Sequence, residues 1–309
     1  MKESKEFKRY LEDKSLIDRL KQEPLFKNKE RLLENIKNGE VFPAIRYKNK
    51  IDFYFYKSLL FQYDGEFSTH PKFAYVPKYY GKRYVTHGEK LGEVADFNDG
   101  YENIKERAKL YASIEDIGVY NICKNGNFIT NDDYIVLDVE VAFEKTIEEP
   151  TGTIEQIEDE ILQSKKRKNE QNRVDILLYN IKERELLFVE AKHFTNKEIW
   201  SNDIPKVVEQ VRRYNKEIEK RYPEILQSYK EYVNDINQLF KNELKKPLPT
   251  PEKIYKSCGL IIFGFDGNQR DGRLALTKEK IENENIHVYT IGNESNKDIV
   301  KNLYNAIKK

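Results

Sequence analysis

The sequence predicts an α/β (α+β) fold: a mixed central sheet flanked by helices, preceded by a strand-rich N-terminal module. Short apolar segments with alternating polar positions, typical of strands, occur in both parts of the chain. In the later part, strands are followed by an amphipathic helix and a returning strand, which is the order of a mixed sheet covered by helices. A helical segment that opens the second unit places a soft boundary near Asn98, between residues 1–98 and 99–309.

The N-terminal module begins with a predicted helical region, in which apolar residues recur at helical spacing in KEFKRYLEDKSLIDRLKQE and KNKERLLENIKNG, and Gly39 fits a helix stop. Strands and hairpins are predicted in the aromatic-rich segments EVFPAIRY, KIDFYFYKSLLFQYDG and KFAYVPKYYG. Such a sheet could stack nucleic-acid bases. Core and cross-strand packing is favoured instead, because no glycine–aromatic signature like that of the common RNA-binding sheet is present.

The second unit opens with a predicted helix, DGYENIKERAKLYASIEDIG, and a strong strand, DDYIVLDVEVAFEK. A polar insertion follows at residues 146–172 and is predicted to be part loop and part helix. Residues 173–194 then read as two apolar strands joined by a short polar turn. These two strands carry the residues on which the functional argument depends.

A helix is predicted next, in SNDIPKVVEQVRRYNKEIEKRY, where Ser201, Asn202 or Asp203 can cap it and Pro205 is tolerated in the first turn. Its apolar face is predicted to contain Ile204, Val207, Val208, Val211, Tyr214 and Ile218. Another helix starts at Pro223. The strands SCGLIIFGFDG and NIHVYTIG and the closing helix NKDIVKNLYNAIKK complete the unit.

Composition limits the class of protein. The chain has 309 residues, 35% of them charged, and no apolar run of the eighteen or so residues that span a bilayer, so no membrane association is expected. Two cysteines far apart in sequence and an N-terminus without a secretory signal favour a reducing, cytoplasmic setting. A net charge of +1 neither indicates nor excludes nucleic-acid binding, because the local charge distribution matters more than the sum.

Three charged residues interrupt the two most strand-like segments. Because side chains alternate along a strand, Glu190 and Lys192 share one side, and Asp175 can converge with Glu190 if the two strands are adjacent. Burying two carboxylates and an ammonium without compensation is expensive. A divalent cation would offset the repulsion between the carboxylates, so these residues predict a metal site.

This pattern resembles the PD-(D/E)xK nuclease superfamily, the restriction-endonuclease-like fold, over roughly residues 133–266. The resemblance rests on Asp175, on the Glu-Ala-Lys from Glu190 to Lys192, and on a following helix with the Gln-x-x-x-Tyr of RecB-like members, here Gln210 and Tyr214. Glu-x-Lys alone is common in so charged a chain, and each residue alone could be an ordinary surface or core residue. The conjunction in this order is what predicts the nuclease fold.

The resemblance implies a mechanism. Asp175, Glu190 and the backbone carbonyl of Ala191 would bind Mg²⁺ or Mn²⁺, which take oxygen ligands. The metal would polarise the scissile phosphate and lower the pKa of a bound water. Lys192 would orient or deprotonate that water, or neutralise developing charge. Gln210 would position the water or a phosphate, and Tyr214 would support the site or contact substrate.

Further residues are assigned less directly. An upstream acid is expected in the family; Glu140 ranks first, because acids are unusual on one side of an otherwise buried strand, and Glu102 and Glu106 are the alternatives. Phosphate contacts are predicted from Arg212 and Arg213 on the helix. The basic run before the first strand is a further candidate, with Lys165, Lys166 and Arg167. All of these could equally be solvated charges.

The predicted function is therefore a Mg²⁺- or Mn²⁺-dependent nuclease that hydrolyses phosphodiesters, with DNA favoured over RNA as partner, in bacterial or phage-related restriction, defence or repair. The alternative is an inactive nucleic-acid-binding or protein-interaction subunit on the same fold. A homodimer or a partner subunit is compatible with cutting both strands of a duplex. The sequence does not choose between endo- and exonuclease, or between one metal and two.

Overall fold

The computed structural model describes most of the chain, namely residues 6–27, 31–74, 85–86, 97–131, 133–143, 173–201 and 203–308. The insertion at 146–172, with Lys165, Lys166 and Arg167, lies outside these residues, as does most of the predicted strand KFAYVPKYYG. Residues 87–96 also lie outside, and the boundary near Asn98 stays a prediction.

The N-terminal part consists of short helices and an antiparallel sheet. The helices are α1 (Ser15–Gln22), α2 (Pro24–Lys27) and α3 (Leu32–Lys37). The strands, paired in chain order, are β1 (Phe42–Arg46), β2 (Lys50–Phe55), β3 (Ser58–Tyr63), β4 (Phe67–Thr69) and β5 (Val85–Thr86). Phe53, Phe61 and Tyr63 are fully buried, which agrees with a core role for these aromatic residues.

The second part begins with two helices where one was predicted, α4 (Tyr101–Leu110) and α5 (Ile114–Asn125). The first helix ends at Leu110, and Ser113 caps the second, because its hydroxyl accepts from Asp116 N–H while the Asp116 carboxylate accepts from Ser113 N–H. The remaining elements are β6 (Tyr134–Ala142), β7 (Arg173–Asn180), β8 (Glu185–His193), α6 (Lys206–Lys220), α7 (Tyr222–Leu239), β9 (Lys253–Ile254), β10 (Gly259–Phe263), α8 (Gly267–Gln269), α9 (Ala275–Glu282), β11 (Val288–Ile291) and α10 (Ile299–Ile307).

The larger sheet is mixed, as predicted. Its order is β11-β10-β8-β7-β6, with β9 paired to β8; β6, β7 and β8 are antiparallel neighbours, whereas β10 runs parallel to β8 and β11. On one face, α5 packs so closely that a Cβ on Gly118 would lie 2.0 Å from the Phe263 ring. On the other face, Phe188 of β8 contacts Tyr229 of α7, with ring centroids 6.3 Å apart. A mixed α+β fold with helices on both faces of this sheet is therefore established.

Two local predictions at α6 were wrong. Pro205 stands at the N-cap position rather than inside the first turn, and no side chain caps the helix among the described residues. The Ser201 hydroxyl instead accepts from Asp203 N–H, while Asn202 lies outside the described residues. Ile204 precedes the helix and is 49% exposed, so it does not belong to the apolar face. A proline at the junction fixes an extended backbone there, and the residue before it turns outward.

Residues 6–14 form an extended strap where the sequence predicts the start of the first helix, and the helix itself, α1, begins only at Ser15. Backbone N–H groups of Arg9 and Leu11 donate to Ser228 Oγ and Asp235 Oδ2 of α7, at 2.7 and 2.8 Å. The N–H of Phe7 donates to a carboxylate on the same helix. Because these side chains satisfy the strap's donors, residues 6–14 do not need helical hydrogen bonds, although their apolar spacing is helical.

A buried carboxylate joins the N-terminal part to the larger sheet. Asp138 of β6 is fully buried and accepts from Arg46 Nη1 at 2.8 Å and from the Tyr229 hydroxyl at 2.9 Å. Arg9 Nε lies 3.5 Å from the same carboxylate. Three separate elements therefore converge on one charge, which the sequence places on the same strand as the candidate Glu140. Within the described residues, no helix is long and apolar enough to cross a membrane.

Candidate active site

The two strands of residues 173–194 are antiparallel neighbours, as predicted. Ile176 pairs with Val189 and Leu177 with Phe188, which places Asp175 opposite Glu190 at the end of the ladder. Asp175 Oδ2 accepts a hydrogen bond from the Ala191 N–H at 2.8 Å. The structure therefore brings these two carboxylates together at one end of the strand pair, both almost fully buried.

Glu140 extends this arrangement by one strand. In the β6–β7 pairing, Val139 lies opposite Ile176 and Val141 opposite Val174, so Glu140 faces Asp175. Its φ of 50° lies in the left-handed region, which a non-glycine residue adopts at a cost of about 1–2 kcal/mol. Glu140, Asp175 and Glu190 thus form a row across three adjacent strands, called the carboxylate row below.

Lys192 closes one end of the carboxylate row. Its Nζ lies 2.8 Å from Glu190 Oε1 and 2.8 Å from Glu198 Oε2. Glu198 belongs to a 3₁₀ turn, Lys197–Ile199, and its side chain is 48% exposed. Lys192 therefore connects the buried carboxylate to a solvent-facing one.

A residue that the sequence argument did not single out enters the site from the N-terminal module. Lys57 Nζ lies 2.6 Å from Asp175 Oδ1 and 3.3 Å from Glu140 Oε1. The sequence predicts a hairpin at this position, and Lys57 is in its two-residue turn between β2 and β3. Its contact with Asp175 spans 118 positions, so no local pattern could have indicated it.

The turn that carries Lys57 is unusual for a hairpin. Tyr56 and Lys57 have φ values of 48° and 60°, the left-handed conformation that two-residue turns usually fill with Asn or Gly. The Tyr56 ring stacks on Tyr120 of α5, with centroids 4.1 Å apart and planes 15° apart. This stacking and the ion pairs of Lys57 hold the strained turn against the site.

The charges in the site shift each other's ionisation. Burial raises the pKa of Asp175, but Lys57 and then Lys192 outweigh that effect and hold the pKa below its usual value. Burial and the charge of Asp175 raise the pKa of Glu190 above its usual range, although Lys192 opposes the shift. Burial lowers the pKa of Lys192, yet Glu190 and Asp175 outweigh it and raise the pKa overall. The two carboxylates therefore favour the charged form of Lys192.

One carboxylate oxygen of the row has no hydrogen-bond donor in the described structure. Glu190 is 2% exposed, and its Oε2 has no hydrogen-bond partner among the described residues. A buried carboxylate oxygen without a donor is costly, and a divalent cation is the ligand that it suits. No group of three or more His, Cys, Asp or Glu is placed to hold a metal within the described part of the chain. Of the predicted metal ligands, the structure therefore places the carboxylates of Asp175 and Glu190 side by side.

The Gln-x-x-x-Tyr pair is connected to the site through the backbone at the start of β7, and neither side chain forms a hydrogen bond with the carboxylates in the described part of the molecule. Gln210 Nε2 donates to the Tyr214 hydroxyl at 2.7 Å, and that hydroxyl donates to the backbone carbonyl of Arg173. Arg173 begins β7 two positions before Asp175. The predicted supporting role of Tyr214 is consistent with these bonds, whereas Gln210 is directed toward Tyr214 and not toward a water or phosphate at the carboxylates.

The remaining predicted residues lie farther out. Arg212 is paired with Glu284, and Arg213 is exposed on the same helix. Glu102 and Glu106 lie on the exposed surface of α4, with Glu102 Oε2 3.5 Å from Lys105 Nζ. Among the three candidates for the upstream acid, the geometry therefore favours Glu140.

No family model matches this chain, and no curated protein or solved structure shows a significant similarity to it.

Proposed function

We propose that the protein is a metal-dependent nuclease of the restriction-endonuclease-like type that hydrolyses phosphodiester bonds, with DNA favoured over RNA. The observation that carries this is the carboxylate row, in which Glu190 offers a buried oxygen without a hydrogen-bond donor. The Nζ of Lys192 lies 2.8 Å from the other oxygen of this carboxylate, Glu190 Oε1. A buried acceptor without a donor calls for an explanation, and a cation shared with the neighbouring Asp175 carboxylate supplies one.

Asp175, Glu190 and the Ala191 carbonyl would hold Mg²⁺ or Mn²⁺, because these ions prefer oxygen ligands. When bound, the ion supplies Lewis-acid polarisation of the phosphate and lowers the pKa of its water. The Ala191 N–H fixes Asp175 through a hydrogen bond, so one ligand is oriented by the backbone of the strand that supplies the other.

Lys192 contributes positive charge at the reacting phosphate. Its Nζ lies 2.8 Å from Glu190 Oε1, which suits a role in holding the attacking water or neutralising developing negative charge. Tyr214 and Gln210 position the start of β7 through the Arg173 carbonyl, and therefore position Asp175. Arg213, exposed on the same helix, is available for phosphate contact.

The test is cleavage of supercoiled plasmid, linear duplex, single-stranded DNA and RNA with Mg²⁺ or Mn²⁺, with a chelator control. Glu190→Gln is expected to abolish cutting, and Lys192→Met to lower kcat by about 10²–10³-fold. Glu185→Gln is the matched control, since Glu185 is also a buried carboxylate on β8 paired with a lysine, Lys308. That variant is expected to cut normally under conditions where it is folded.

Other outcomes would redirect the proposal. If wild-type protein binds DNA in a salt-dependent manner but cuts no substrate with either metal, the alternative of a nucleic-acid-binding module replaces the nuclease. If Glu190→Gln cuts as well as Glu185→Gln, the carboxylate row is not the active site. Cytoplasmic location, dimerisation and a role in defence or repair remain predictions from the sequence.

A further inference from the structure

Within the described residues, one ammonium bridges two members of the carboxylate row. Lys57 Nζ fills the gap between Glu140 and Asp175, at 3.3 and 2.6 Å from their oxygens. In the neighbouring strand, Glu190 Oε1 lies 2.8 Å from Lys192 Nζ, whereas Glu190 Oε2 has no hydrogen-bond partner among the described residues. Asp175 is shared, because its Oδ1 accepts from Lys57 while it lies opposite Glu190 in the sheet.

From this arrangement we infer that Lys57 takes the place of a second metal ion, so that the active site binds one divalent cation and completes itself with an ammonium from the N-terminal module. The inference rests on the proposed nuclease function and adds a residue and a metal count to it. In two-metal nucleases the ions are about 3.5–4 Å apart on either side of the reacting phosphate. Asp175 would be shared between the two cation positions, because it contacts Lys57 and lies opposite Glu190, the proposed metal ligand.

The burial and backbone of Lys57 support a fixed position. Its side chain is only 18% exposed, although lysine is usually a solvated residue. The turn holds two non-glycine residues in the left-handed conformation, and the Tyr56 ring is clamped on Tyr120. Holding a long, flexible side chain in a strained turn is unfavourable unless the ion pairs at its end compensate. A surface ion pair would not supply that compensation.

The role in the reaction is electrostatic. Hydrolysis forms a bond from a water oxygen to phosphorus and breaks the bond from phosphorus to the leaving ester oxygen. One water proton ends on the leaving oxygen and the other passes to solvent, while Lys57 keeps its proton throughout. Lys57 stabilises the negative charge that develops on the phosphate and the leaving oxygen, which is the task of the second ion in two-metal sites.

The experiment measures Mn²⁺ bound per chain at equilibrium, by dialysis of the full-length protein or by the electron paramagnetic resonance signal of free Mn²⁺. Wild type is expected to bind one ion. Lys57→Gln is expected to bind a second, weaker ion, and Lys57→Gln/Glu140→Gln to return to one. Lys308→Gln is the matched control, because Lys308 also bridges two carboxylates, at 2.6 Å from Glu183 and Glu185, far from the row in sequence.

Activity gives a second signature. The kcat of Lys57→Gln is expected to fall about 10²-fold at low Mn²⁺ and to recover in part as the second ion fills the gap, whereas Lys57→Arg retains one ion and most of the activity. If Lys57→Gln does not fold, Glu140→Gln serves instead and is expected to keep one bound ion.

Three results would overturn the inference. Two ions bound by the wild type would show that Lys57 does not fill a cation position. One ion bound by a folded Lys57→Gln, or loss of the ion in Glu140→Gln, would show that Glu140 and Asp175 do not form a second cation position. No ion bound by any variant would instead refute the metal site itself, and with it the proposed function.

Discussion

Replacing Asp138 by alanine tests whether the N-terminal module and the larger sheet are one folding unit. The substitution leaves the guanidinium groups of Arg46 and Arg9 buried without this partner, and the Tyr229 hydroxyl without its acceptor. Breaking a buried ion pair by removing one partner costs about 3–5 kcal/mol. Arg46 keeps three other acceptors, the Asp52 carboxylate at 3.2 Å and two backbone carbonyls at 2.8 and 3.3 Å, so the lower end, about 3 kcal/mol, is expected.

Removing the Tyr229 hydroxyl should lower the free energy of unfolding by less than removing the Asp138 carboxylate. Tyr229→Phe removes only the hydrogen bond to Asp138, at 2.9 Å, and is expected to cost about 1–2 kcal/mol. Because both substitutions act on one network, the double variant should cost less than the sum of the two.

The assay is urea unfolding followed by far-ultraviolet circular dichroism and by the fluorescence of Trp200, the single tryptophan of the chain. Trp200 follows β8, so its signal reports the larger sheet, while circular dichroism reports both parts. Asp271→Ala is the control, since the Asp271 carboxylate is exposed and pairs with its neighbour in sequence. It is expected to leave the unfolding midpoint unchanged.

A loss below about 1 kcal/mol in Asp138→Ala would refute the reasoning, because that is the range of an exposed ion pair. A second refuting result would be two separate transitions in the wild type, with the Trp200 signal unaffected by the substitution. That outcome would show that the buried network does not couple the two parts.

Three further outcomes are expected. Tyr214→Phe removes the hydroxyl that donates to the Arg173 carbonyl and should lower kcat with little change in KM; an unchanged kcat would end its positioning role. Burial raises the pKa of Glu185, but hydrogen bonding to Lys308 outweighs it and lowers the pKa overall, so this pair stabilises the fold above the ordinary glutamate pKa and is lost as pH falls. Urea midpoints of Lys308→Gln and wild type should therefore differ at pH 7 and converge in acid, and a constant difference would contradict the assignment. Gly118→Ala forces a Cβ into the aromatic ring of β10 and should cost about 1–3 kcal/mol in urea unfolding, whereas a neutral result would mean that α5 can move away.

The central pair of the site could be predicted because its information is local. Alternation along two strands and a short turn between them require antiparallel pairing, and that pairing places Asp175 opposite Glu190. Glu140 could be selected by the same alternation of side chains, applied to the preceding strand β6. The break between α4 and α5 was missed although its signal, Ser113 with an acid three positions later, is also local.

Other features were beyond reach because their causes are not local. The strap at residues 6–14 has helical apolar spacing, but the backbone donors of Arg9 and Leu11 are satisfied by side chains more than 200 positions away. Lys57 reads in sequence as an ordinary solvated turn residue. Only the packing of Tyr56 on Tyr120 and the position of the first sheet bring its ammonium to Asp175. Tertiary contacts decide such positions, and propensity does not record them.

The strap also has a consequence for the order in which the chain acquires its structure during synthesis. Arg9 and Leu11 reach their partners across 219 and 224 positions, so their donors stay bound to water until the ribosome has released α7. The ion-pair network around the Arg9 side chain is also incomplete until then, because the Asp138 network includes Tyr229 of that helix. A nascent chain stopped before α7 would therefore present an unanchored N-terminal segment and an incomplete cluster of charges. Proteases that cut unfolded segments would find their target in such truncated chains and not in the finished protein.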